Sequence, residues 1–591
     1  MQAFLFRRSV ETGPSAERMH RPVIRIGSGG MGLSTTAWAP AGLLARSPKA
    51  SMLFSDREEG FFLFYYPLVR KLYADAWTPV VAYEALRAER PTLLESAEHG
   101  VRVGRYSVLA YRPLLTFTYA VESAGGPGAA RIRDLSSGTE ERLAETPEAA
   151  LEAFLTRIRR HPDAPAPDVP FVGAAIGAFS FELAYGGKAP VIRGPATPEK
   201  GPEGAPRAKD ARAKGASAAD PLALIRVFLP GRLVVFDHLT KTAAYVGLVP
   251  LSSPELGSAE RAALTEAEAA LEAEAEAFVA RLGKTALPAL QGDRGEVPEM
   301  PVTAEPVDGA FVEQVGSVLA AVRRGAVEQV VLSRRYEVAG TFDPFLVYRY
   351  LRAENPSPYL FLLDLSGFGG DVYAGSSPES LVRIEGGRIS TRPIAGTRPR
   401  GKTPEEDARL EAELLADAKE AAEHDMLVRL AEDDLRAVAD PETVRIEAYR
   451  TVERYSHVMH LVSHLSGRLR REVTPVEALF RLFPAGTVSG APRAAALALI
   501  RRLEPEPRGL YAGGVGWIHP DGDLDLAIAI RTIRFYAGGA TVQAGAGIVA
   551  GSVPERELEE TRRKAMALLR ALARSTAHAE PFAATGKGHR Q

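Results

Sequence analysis

Along most of the chain, apolar positions recur either every second residue or every third to fourth, and the two periods divide it into segments. Period-two stretches rich in β-branched and aromatic residues cover 106–119, interrupted at Pro113, and 222–246, broken at Pro230-Gly231 in the manner of a hairpin. The Ala/Glu-rich residues 260–282 place Leu264, Leu271, Phe278 and Leu282 on one stripe, which predicts an amphipathic helix packed on its own domain. Further helices are expected at 311–323, at 404–435 and from 555 onward. Strands are expected at 329–338, 455–465, 513–518, 527–535 and 541–548. Several consecutive strands lack an intervening helix, so the expected class is α+β: a two-domain chain with antiparallel sheets flanked by helices.

Breaks in the pattern set the domain limits. Residues 1–75 read as a loose N-terminal extension, with Met52 as an alternative start. A first domain spans 76–290, a linker holding Pro298, Pro301 and Pro306 spans 291–307, a second domain spans 308–574, and a polar tail spans 575–591. Residues 194–220 have the composition of an exposed insertion.

Composition narrows the function classes. With 46% hydrophobic and 25% charged residues the chain is ordinary globular material, and 591 residues should bury more than one core. Its 72 Lys+Arg against 74 Asp+Glu give no concentrated basic face, so no nucleic-acid partner is expected. The absence of cysteine excludes disulfides, thiolate-bound zinc, iron–sulfur clusters and a thiol nucleophile within this chain. No apolar run approaches the roughly 18–20 residues that span a bilayer, and no secretory h-region follows the N-terminus. The expectation is a cytoplasmic protein without a membrane partner.

Two acidic pairs repeat at helical spacing three: Glu420 with Glu423, and Glu557 with Glu560. Each pair shares one helix face, and two such faces together would offer the all-oxygen ligands that suit Mg2+. The alternative is an ordinary solvated helix surface. His457, His460 and His464 have the spacing of a zinc face on a helix, but Val458 and Val462 favour a strand, on which His460 and His464 share a face and His457 points away. Glycine-bearing loops at 393–400, 484–492 and 543–549 are either tight turns or backbone N–H cradles for an anion, with Arg531 and Lys564 as charge partners. By themselves these residues reach as far as a small-anion site in the second half that uses Mg2+.

Together the segments resemble the chorismate-utilising enzymes, and among them the anthranilate synthase component I family. The matching motifs are QVVLSRR (329–335), GSSPESLVR (375–383), PIAGTRPRG (393–401), KEAAEHDMLV (419–428), VERYSHVMHLVS (452–463) and FPAGTVSGAPR (483–493), followed by DLDLAIAIRT (523–532), QAGAGIV (543–549) and EETRRKA (559–565). The resemblance implies that Mg2+ is held at Glu423 and Glu560, with Glu420 and Glu557 contributing directly or through water. It implies Glu379 as the acid that protonates the departing C4 hydroxyl of chorismate, His460 as the histidine tied to pyruvate elimination, and Thr487 as a pocket residue. Ala395, Gly396, Thr397, Tyr511, Arg531, Gly545, Ala546, Gly547 and Lys564 would contact substrate. It also makes 308–574 the catalytic domain and 76–290 a regulatory and partner-binding domain.

Two positions separate subfamilies. Isochorismate and salicylate synthases resemble this chain but carry Lys where it has Gln329, so the implied nucleophile here is ammonia. Aminodeoxychorismate synthases commonly carry Lys where it has Ala395, so amination at C2, and anthranilate as product, is implied. Ammonia would come from a separate glutamine amidotransferase subunit, because that chemistry needs a Cys this chain lacks; a hetero-oligomer follows. The alternatives are an aminodeoxychorismate synthase component I and a catalytically silent regulatory paralogue, the latter motivated by Arg429 and Arg436, which replace an acidic residue and a glycine of the family pattern. LLES ending in Glu95 and Ser96, with NPSPY (355–359) followed by Leu360, resembles the family's tryptophan site. That implies feedback inhibition through Glu95, Ser96, Pro358, Tyr359 and Leu360.

Overall fold

The computed structural model describes residues 61–96, 104–121, 128–186, 222–251, 253–290, 299–455, 458–504 and 506–577. Most of the expected extension, the insertion at 194–220, linker residues 291–298, His457 and tail residues 578–591 lie outside the described residues.

The architecture turns on one long ribbon. Strands Tyr106–Val121 and Leu222–Asp237 pair antiparallel along their whole length and belong to two sheets at once. The register shifts where Pro113 stands opposite Pro230. Neither proline has an N–H to give the ladder, so the ribbon bends there without losing a bond it could have made. Pro230-Gly231 is therefore not the hairpin turn that the pattern predicts. The strand runs through it, and the turn falls at 238–241 before strand Thr242–Leu251. Likewise 106–119 is one strand bulged at Pro113 and not an interrupted pair.

On one side of the bend the ribbon continues through Thr92–Glu95, Tyr359–Asp364, Val372–Ser377, Thr532–Tyr536 and Gly539–Ile548 to Gln329–Ala339. On the other side it continues through Ala175–Phe179, Gly514–Ile518, Leu524–Ile528, Ser380–Glu385 and Arg388–Thr391 to Val458–Arg468. Among the described residues every pairing is antiparallel except Leu63–Tyr73 with Ile158–Arg160. The class is α+β. Strands from both halves of the chain take part in both sheets, so ladder hydrogen bonds join the regions on either side of residues 291–307. Strand Leu63–Tyr73 begins inside the stretch expected to be loose, and strand Val302–Glu305 occupies the end of the expected linker.

Helices Pro344–Glu354 and Pro554–Ala577 cover the first sheet, burying Tyr348, Leu351, Leu568 and Leu572 over Leu362 and Val542. Helix Pro147–Thr156 puts Leu151 and Phe154 against Phe117 of the second. Each such side chain is worth about 1.5–3 kcal/mol of burial, which holds each helix on its sheet.

Candidate active site

The second half of the chain crosses between sheets at two adjacent corners, and both carry chemistry. The first lies between strands Val372–Ser377 and Ser380–Glu385, at Pro378-Glu379. The second lies between Leu524–Ile528 and Thr532–Tyr536, at residues 529–531. The continuous strand expected at 527–535 is broken there because Arg531 adopts φ +50°, a left-handed conformation that costs a non-glycine residue roughly 1–2 kcal/mol. The corners are tied together: Ile528 N donates to Glu379 O at 3.0 Å, Ser377 Oγ to Ile528 O at 2.6 Å, and Ser376 N to Arg531 O at 3.1 Å.

Glu379 is buried, and burial pushes its carboxyl up to about 7 against the opposing pull of Thr487 and Lys564. Thr487 approaches the carboxyl, although its Oγ1 makes no well-aligned hydrogen bond. Arg531 donates to Asn355 Oδ1 at 2.8 Å and, among the described residues, has no carboxylate partner; burial alone pulls its pKa down. A partly buried guanidinium left without a counter-charge is poised for an anionic ligand.

His460 lies on strand Val458–Arg468, as expected, with Nδ1 3.2 Å from Gly396 O and 3.0 Å from Thr397 Oγ1. A carbonyl only accepts, so Nδ1 carries the hydrogen and Nε2 the lone pair. Burial, with Arg531 and Arg392 nearby, pulls the imidazole down to about 4, so it is neutral at pH 7. His460 and His464 both lie on this strand, as the strand reading expects, and His464 pairs with Glu453 at 3.0 Å. Gly396 takes φ +70°, and a Cβ there would come within 3.0 Å of Leu414 and 3.3 Å of the Glu420 carboxylate. Ala395, Gly396 and Thr397 thus pass directly over the start of the next helix.

That helix differs from the single run expected at 404–435. Asp417 ends Pro404–Ala416 and caps Ala418–Val438, accepting from Lys419 N at 3.0 Å and Glu420 N at 3.1 Å while pairing with Arg398 at 2.7 Å. An Asx cap competes with helix continuation, and it starts a fresh N-terminus whose first turn favours the carboxylate of Glu420. Glu557 and Glu560 occupy the first two turns of helix Pro554–Ala577.

The two helix starts lie within electrostatic range of each other. Glu423 is raised by desolvation and by Glu420 and Glu560; Glu557 is raised by desolvation and by Glu560 and lowered by Lys419. Glu423 remains water-accessible. Lys564 joins the parts: its ammonium pairs with Glu560 at 2.7 Å, donates to Gly545 O at 3.0 Å and acts on Glu379, Glu423 and Glu557. The hard-oxygen donor set and its mutual repulsion suit a divalent cation. Among the described residues, however, no three acidic or histidine side chains converge at coordinating distance: Glu560 is drawn to Lys564, and Glu420 lies 4.0 Å from Arg398.

The glycines of strand Gly539–Ile548 make room for neighbours. A Cβ on Gly547 would stand 2.8 Å from Gln329 Nε2, and one on Gly545 2.8 Å from the Tyr511 hydroxyl. Ala546 between them is buried in the ladder opposite Leu332. Gln329 is buried, and its Oε1 has no hydrogen-bond partner. Glu379, Thr487, Lys564 and the acidic helix starts thus form one cluster, and His460, Arg531, Gly396 and Thr397 another beside it.

The residues expected to bind tryptophan lie apart on the first sheet. Glu95 is opposite Leu360 in the ladder, with Ser96 next to it, and its carboxylate is taken by Tyr348 and by Arg352 at 3.3 Å. Pro358 is buried, and Tyr359 donates to Asp525 at 3.0 Å. Sequence reasoning missed Asn355 as the holder of Arg531. It also missed buried Arg508, whose spacing from Glu504 reads as an ordinary surface helix pair. Arg429 is exposed and Arg436 pairs with Glu432, both away from these side chains.

The family model described as chorismate binding enzyme matches residues 128–570. Anthranilate synthase component 1 of Thermus thermophilus is 39% identical, covering 86% of this chain and 97% of the relative. That of Acetivibrio thermocellus is 37% identical, covering 86% and 95%. The crystal structure of anthranilate synthase component I from Streptococcus pneumoniae TIGR4 superposes with a TM-score of 0.59 at 31% identity, covering 84% of this chain and 99% of that one. With a match over most of its length, a shared fold and full-length relatives of this kind, the chain belongs to the family of chorismate binding enzymes.

Proposed function

We propose that the protein is the large component of an anthranilate synthase, converting chorismate and ammonia to anthranilate, pyruvate and water. The observation that carries the reading is the pair of hydrogen-bonded corners, one holding the buried Glu379 and the other Arg531, a cation with no carboxylate partner among the described residues. Arg531, Lys564 and Tyr511 bind and orient the substrate carboxylates. Glu379, near neutrality in its proton affinity, delivers its proton to the C4 oxygen as that C–O bond breaks and ammonia bonds to C2. In the second stage the neutral His460, with its lone pair on Nε2, takes the C2 proton, the C3–O bond breaks, and the departing enolpyruvate takes up a proton at its methylene carbon to become pyruvate. Gln329 cannot act as a base on water, which favours ammonia. Mg2+ would be held by Glu423 and Glu560, with Glu420 and Glu557 in support, and when bound it supplies positive charge to the C1 carboxylate.

The names of the relatives support anthranilate as product and a second, separate component as the ammonia source; tryptophan is the expected inhibitor. Purified chain with chorismate, Mg2+ and ammonium should yield anthranilate fluorescence and pyruvate in equal amounts. A para-substituted amine would make it an aminodeoxychorismate synthase instead, and chorismate binding without turnover would make it a silent paralogue.

A further inference from the structure

Behind the candidate site lies a buried ion pair that none of the proposed steps uses. The Arg508 and Glu504 side chains are 1% and 6% exposed and meet at 2.6 Å. Arg508 donates through Nε to Glu504 at 2.8 Å, through Nη1 to Val488 O at 2.8 Å and through Nη2 to Val331 O at 2.7 Å. Its guanidinium lies 4.3 Å from the Phe181 ring centre and 5.7 Å from that of Tyr511. Glu504 accepts in turn from the N and Oγ of Ser333, each at 2.9 Å. The carboxylate of Glu182, itself buried, receives the backbone N–H of Arg508 at 2.7 Å and of Gly509 at 3.1 Å. Two donors of that guanidinium are thus directed at backbone carbonyls beside candidate site residues, and two more at the Glu504 carboxylate. Val488 follows Thr487, Val331 is two residues from Gln329, and Tyr511 is three from Arg508 itself.

We propose that Arg508 is a positioning residue for the reaction, locking the Thr487 turn, Tyr511 and the strand that begins at Gln329 into one geometry; this rests on the function proposed above. A buried ion pair is a poor source of net stability compared with apolar packing of the same volume, but it specifies geometry when all its hydrogen bonds are made. A planar fork with five donors can hold two carbonyls and a carboxylate together; a lysine ammonium cannot keep all three in the same plane. The effect on chemistry passes through Thr487, the residue that touches Glu379.

The test uses the full chain and four proteins: wild type, Arg508→Lys, Thr487→Val and the double variant. Arg508→Lys should lower kcat roughly 10–100-fold, the range of a lost hydrogen bond to a charged group, while the KM for chorismate rises by a smaller factor, because Tyr511 is loosened but Arg531 and Lys564 are untouched. Thr487→Val should cost much less in the Arg508→Lys background than in wild type, since the hydroxyl has already lost its placement. Independent, multiplying effects in a folded Arg508→Lys protein overturn the inference. Should Arg508→Lys fail to fold, Ser333→Ala, which removes one donor from Glu504, takes its place in the same cycle, with a smaller loss but the same non-additivity. Wild type that does not convert chorismate defeats the proposed function; active wild type with independent effects defeats only the role of Arg508.

Discussion

Arg531, at the corner between the two sheets, donates its Nη1 hydrogen to the Asn355 side chain at 2.8 Å, and Asn355 Nδ2 in turn lies 3.2 Å from Ser376 Oγ. The guanidinium is held by a neutral amide, so its charge stays available while its direction is set. Asn355→Ala should therefore leave Arg531 charged but loosely aimed. A hydrogen bond to a charged group is worth about 1.5–3 kcal/mol, so the KM for chorismate should rise roughly tenfold or more, with kcat affected less. Steady-state kinetics check this, and an unchanged KM would show that Asn355 does not orient the cation.

The proton affinity of Glu379 sets a pH limb. Its carboxyl sits at about 7 because it is buried, and it acts in the protonated form. At constant free ammonia, kcat/KM for chorismate should fall as pH rises through about 7, since that ratio reports the free enzyme. Glu379→Gln should lose roughly 100–10,000-fold in kcat and show no such limb. A Glu379→Gln variant that keeps the wild-type pH profile would assign the limb, and the acid, to another group.

The fold was legible wherever one period dominated a segment. Residues 311–323 and 329–338 appear as Asp308–Arg323 and Gln329–Ala339, because their apolar positions had one neighbour each to face. Misreadings fell where a tertiary partner decided the local conformation. Pro230 needs Pro113 across the ribbon to become a bend; Asp417 needs Arg398 to become a cap; Arg531 needs the corner at Glu379 to be turned left-handed. For the site, motif resemblance named the side chains but not their supports. Asn355 and Arg508 act through groups distant in sequence, and neither period nor composition reports a contact across 176 residues, as between Asn355 and Arg531.

Close approach to two glycines gives a steric prediction. A Cβ at position 547 would stand 2.8 Å from Gln329 Nε2, the end of a side chain that can move; one at 545 would meet Leu332 O at 2.9 Å as well as the Tyr511 hydroxyl. Gly547→Ala should fold with near-normal stability yet lose activity by displacing Gln329, whereas Gly545→Ala should lower both activity and Tm. Thermal melts read beside turnover separate the cases, and wild-type turnover in Gly547→Ala would free Gln329 of any role.

His424 ties acid stability to the site's helix. It is fully buried, its Nε2 lies 2.7 Å from Ser463 Oγ, and burial pulls its pKa down to about 4. A histidine depressed in the folded state stabilises above its unfolded pKa near 6.5 and loses that contribution as pH falls towards 4. At about 1.4 kcal/mol per unit the loss approaches roughly 3 kcal/mol. Glu182 and Glu379, raised to about 7, change in the opposite sense over much of this range, so the measurable quantity is a difference. His424→Gln should be less stable than wild type at pH 7, and the gap should close as pH falls to 4. Denaturation midpoints that stay parallel across that range would exclude a titrating His424.

Tryptophan inhibition, if it operates through Glu95 and its neighbours, has a short physical route to the substrate cation. Leu360 pairs with Glu95 on one side and with Ser376 on the other. Ser376 lies against Asn355, and Asn355 holds Arg531. Adjacency alone is no coupling: an effector inhibits only by binding one arrangement of these segments better than another. The Glu95 carboxylate is already engaged by Tyr348 and Arg352, so an incoming ammonium must share or displace those donors, and that exchange is a means of telling the two arrangements apart. Tryptophan should raise the KM for chorismate in wild type. Ser96→Phe, which fills the end of this strand, should weaken inhibition at least tenfold, the equivalent of about 1.4 kcal/mol in effector affinity. Asn355→Ala should blunt inhibition even where calorimetry still detects tryptophan binding, because the contact that carries the change to Arg531 is gone. Saturating tryptophan that leaves wild-type kinetics unchanged would reduce these segments to scaffold, and undiminished inhibition in Asn355→Ala would send the coupling by another path.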